Sequence, residues 1–219
     1  MSWTTQTVSH LALTVDGYSH PWENGTARLL AWQTAADVQW VMAAHPDLHD
    51  DLGVTRFERL IAQVHHPATG EPAYWLDLGR VDGGQMRDDS FHSQMKAIAS
   101  SAPLPASNPA KPALFGNRDL GAAVLASDHV AGFDAKNFYL VTPGEGYGFL
   151  GSPREIPLEA PVRLTFSEPL FAASLSGVRL VADFLGAPGR RLIVADGGAP
   201  FGVRRVPYVV QRDTGRGGS

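Results

Sequence analysis

Between Ala43 and Asp51 the chain reads AAHPDLHDD, with two histidines and three aspartates in nine positions. The chain has no cysteine, so any metal it holds must sit on imidazole and carboxylate, a donor set suited to Fe, Mn or Zn. His45 and Asp47 stand two apart, and a metal site built on them needs a further histidine. His49, His92 and His129 are the candidates, and such a site would support a hydrolase or a non-haem oxygenase. The same residues also fit a helix end running into a polar loop. In that reading His45 lies near the last helical carbonyls, where positive charge is favourable, Asp47 caps a turn, and Asp50 and Asp51 are solvated.

The H-x-D spacing of His45-Pro46-Asp47 resembles the first two ligands of the 2-oxoglutarate dioxygenases, which implies a non-haem iron with His92 or His129 as its third ligand. In that family the pair sits on a jelly-roll strand, whereas here it follows an expected helix. SHLALTVDG resembles the first strand of the vicinal oxygen chelate family, which implies His10 as a metal ligand, although no second copy of that family's module is recognisable. His65 and His66 are adjacent, and neighbours on a strand point to opposite faces, so they do not easily share an ion. Ser127-Asp128-His129 contains the residue types of a catalytic triad, but no G-x-S-x-G elbow accompanies it. The glycines at 186, 189, 197 and 198 match no phosphate-binding loop and sit between β-type runs, where glycine serves turns.

Composition narrows the partners. Charged residues are 18% of the chain, against roughly 25% in an average soluble domain, and interface cores are depleted in charge. Lys96, Lys111 and Lys136 are the only lysines, and arginine is favoured over lysine at interfaces. The net charge is −4, and Arg190-Arg191 and Arg204-Arg205 are too short to form a nucleic-acid footprint. No apolar run approaches the length of a membrane span. The N-terminus lacks the basic and apolar regions of a signal peptide, so the expected location is the cytoplasm, or a particle assembled there. Trp22, in SHPWENG, is a contact candidate. Pro103, Pro105, Pro109 and Pro112 mark residues 101–112 as an extended linker or an arm lying over a neighbouring surface.

The elements expected to position these residues give an α+β fold. The 1–100 region reads as mixed, with a strand at 7–15, a second strand at TARLLAW, a helix from Thr34 towards Pro46, and a helix over DDSFHSQMKAIASS (88–101). Residues 55–66 fit a helix or a hairpin arm, and the turn-rich Pro-Ala-Thr-Gly-Glu-Pro before the strand AYWLDL favours the hairpin. Trp40 and Trp75 are expected in the core. After the linker, 113–212 reads as mainly antiparallel β, a sandwich, roll or barrel-like sheet. Its β-type runs are AAVLAS, NFYLVT, VRLTF, GVRLVADFL, RRLIVAD and GVRRVPYVV, and 213–219 reads as a flexible tail. The function expected is a non-enzymatic structural or interaction subunit that forms a homo-oligomer or docks on a protein partner, with a virion- or particle-type component as one such case. A His/Asp metal-dependent enzyme and a ligand-binding β-domain are the alternatives.

Overall fold

The computed structural model describes residues 10–20, 26–116, 145–170, 176–198 and 205–214. Among them the chain is nearly all β, with twelve strands, two short 3-10 turns and no α-helix. The strands form three antiparallel sheets, so the expected mixed α/β N-terminal half is overturned. The chain divides into two compact units, one drawn from Met1–Ser19 and Met86–Arg216, the other from His20–Gln85 and Gly217–Ser219.

Both expected helices are β-strands, for different reasons. In the first, Val38, Val41 and Met42 fit a helical stripe, but Val38, Trp40, Met42 and Ala44 also alternate with Gln39, Val41 and Ala43. β-Branched and aromatic residues favour a pleated surface, and the chain turns at Ala35–Asp37. It thus joins β2 (Arg28–Thr34) to β3 (Val38–Ala44). In the second, the polar residues are the buried ones. Asp88 and Ser90 of β6 (Arg87–His92) face inward, which no hydrophobic periodicity reveals. Asp88 forms a bidentate pair with Arg212 (2.8 and 2.7 Å), and the Ser90 hydroxyl lies on the His10 and Ala12 carbonyls. The remainder of that segment is β7 (Met95–Ser100).

The larger unit is a sandwich. β1 (Leu13–Val15), β6, β12 (Arg205–Asp213), β11 (Arg190–Gly198) and β8 (Gly151–Pro157) form a five-stranded sheet in that order. β10 (Leu180–Phe184), β9 (Val162–Pro169) and β7 form a three-stranded sheet. Leu192, Val194 and Val209 from the first sheet meet Leu164 and Phe166 from the second, with Phe91 and Phe184 at the margin. The two-residue period of a strand sends the intervening Ile193, Ala195, Tyr208 and Val210 to the opposite face, against Leu114, Tyr147 and Leu150. Central strands buried on both faces explain the nearly continuous apolar runs RRLIVAD and VPYVV. Gly197 lies under the Tyr208 ring, where a Cβ would collide with it.

Residues 101–112 lie along this same unit. Ala102 and Leu104 pack on its core, Ser101 bonds the backbone of Arg163, and Lys111 pairs with Glu155 at 2.6 Å. The smaller unit is a meander of β2, β3, β4 (Arg56–His65) and β5 (Pro72–Asp82). Its last hairpin turns at Pro67–Gly70, where Gly70 takes a positive φ of 70°. That hairpin agrees with the reading of the Pro-Ala-Thr-Gly-Glu-Pro stretch.

Candidate functional site

His45, Asp47 and His49 occupy the loop between β3 and β4, so they follow a strand and not a helix. The His45 backbone N–H donates to Phe57. Leu48 and His49 turn inward and are buried, whereas Asp47, Asp50 and Asp51 remain exposed. His49 takes a left-handed φ of 61°, and its ring lies 5.7 Å from that of His20. His92, at the end of β6, stacks on Tyr208 with ring centroids 4.4 Å apart. Among the described residues no three His, Asp or Glu side chains converge as metal ligands. His129 and the Ser127-Asp128-His129 stretch lie outside the described residues, as does Trp22. His10 is exposed and precedes β1. His65 Nδ1 is 2.8 Å from the Gly70 carbonyl, and the Ala68 N–H donates to His66 Nδ1, so both serve their hairpin turn. Pro103, Pro105 and Pro109 are exposed, and Pro112 is half-buried.

Two features went unseen in the sequence. The first is a buried polar network in the larger unit. Thr14 Oγ1 and the Tyr147 hydroxyl share a hydrogen bond of 2.7 Å, and the Arg212 guanidinium sits 5.6 Å over the Tyr147 ring. Burial and the nearby Asp88 carboxylate push the Tyr147 phenol well above its usual value. Burial works against the Arg212 charge, but Asp88 more than compensates and raises it. A phenol held neutral and a carboxylate held by bidentate pairing form a satisfied structural core, not an acid–base pair aimed at a substrate.

The second is the β2–β5 sheet, whose registers assign its faces. One face carries the row Trp32–Val41–Ile61–Asp77, with Leu29 and Trp75 beside it. The other carries Ala31–Met42–Leu60–Leu78 and Gln33–Trp40–Ala62–Leu76, with Tyr74 next to them. Both faces are apolar, and within this unit the described residues supply no second sheet or helix to cover either of them. Trp75, expected in the core, is 66% exposed, and Trp32 is 63% exposed. Leu29, Tyr74 and Leu78 are also open to solvent. All seven residues of β2 are exposed.

Apart from Arg28, the charges on this sheet are paired within it. Arg59 grips Asp77 through two hydrogen bonds (2.8 and 2.5 Å), Arg80 meets Asp82 at 3.2 Å, and Arg56 lies between Glu58 and Asp82. A shallow recess of about 200 Å³ at the Arg28–Arg56 end is smaller than ligand pockets of roughly 300–1,000 Å³. The signal for this surface was present as consecutive apolar residues, Leu29-Leu30 and Tyr74-Trp75-Leu76, which load both faces of a strand. Alternation alone does not tell whether such a strand is covered.

No described helix is long and apolar enough to cross a membrane. No protein-family model matches the chain, and no curated protein matches its sequence.

Proposed function

We propose that this chain is a structural subunit with no chemistry of its own, that it works by self-assembly, and that the β2–β5 sheet is the surface through which it assembles. The observation that carries this reading is an apolar sheet whose outer strands are exposed throughout residues 28–34 and 72–80. A four-stranded meander that buries only Phe57 and Ala62 from its strands gains little from folding alone. Exposed contiguous apolar surface of this kind marks an interaction site. Lysine is absent from all four strands, although edge lysines are a common protection against strand-to-strand association. A repeating particle or shell, in which every copy covers its neighbour's surface, fits these properties. Size-exclusion chromatography with light scattering on the full chain tests the reading. A mass of several chains that dissociates on dilution supports it, and a monomer at high micromolar concentration overturns it.

A further inference from the structure

We draw no further inference here: the strongest candidate, the exposed apolar surface of the β2–β5 sheet, belongs to the site already described, and nothing in the structure shows what covers it.

Discussion

Replacing Trp75 with serine separates assembly from folding. The side chain is 66% exposed, and a Trp offers roughly 150–250 Å² to burial. About two-thirds of that, roughly 100–160 Å², is available to a neighbour. At about 25 cal/mol per Å² this is worth roughly 2.5–4 kcal/mol if fully covered. A junction covering half of it gives about 1.3–2 kcal/mol. With about 1.4 kcal/mol per tenfold change, Trp75→Ser is expected to weaken self-association at least about tenfold, and roughly 60- to 700-fold if the ring is enclosed. The isolated chain should unfold almost unchanged, since exposed substitutions shift stability by about 0.5 kcal/mol or less. Sedimentation equilibrium over a dilution series reads the association constant, and urea unfolding reads the fold. Association within twofold of the parent, with the fold intact, would refute the role given to this face.

The larger unit supplies further predictions. Arg212→Met leaves Asp88, 1% exposed, without its bidentate partner, and should cost about 3–5 kcal/mol in urea unfolding; Asp88→Asn/Arg212→Met should recover part of that loss. Tyr147 keeps its proton in the folded chain, whereas an unfolded tyrosine loses it near pH 10. Stability should therefore fall as pH rises above about 10, and Tyr147→Phe should flatten that alkaline arm, at a cost of about 1 kcal/mol for the Thr14 hydrogen bond. For Glu155 burial acts upward, but Lys111, Arg191 and Arg212 prevail and lower it. Its contribution is present above the usual carboxylate value of about 4.3 and is lost as pH falls towards its lower folded value. Glu155→Gln should shallow the acid slope of the melting temperature. Gly197→Ala places a methyl group on the Tyr208 ring and should destabilise by about 1–3 kcal/mol, visible as a lower melting temperature.

RRLIVAD and VPYVV were legible because they are bounded by turn residues and bury both faces, and VRLTF because it alternates, with Val162, Leu164 and Phe166 inward and Arg163 outward; the expected strands AAVLAS and NFYLVT lie outside the described residues. The hairpin after His65 was legible from its Pro/Gly punctuation. The segment Thr34–Ala44 misled because seven residues satisfy a helical and a strand period alike, and tertiary pairing with β4 decides between them. The segment 88–100 misled for a sharper reason. Asp88 and Ser90 are buried through partners more than seventy residues away in sequence, Arg212, His10 and Ala12, and no local pattern carries that information. AAHPDLHDD drew attention for its ligand types, yet the loop buries Leu48 and His49 and turns Asp47 outward, so its donors diverge. The open sheet was the hardest to foresee, because apolar residues on both faces of a strand ordinarily mean burial. Trp75 was expected inside on that ground.

The most direct test of the central claim is the solution mass of the unmodified full chain, measured by light scattering across a concentration series at moderate ionic strength. The account predicts a mass that is an integer multiple of 23.5 kDa and falls towards one chain only on dilution. A mass of one chain at every concentration up to the high micromolar range would contradict it.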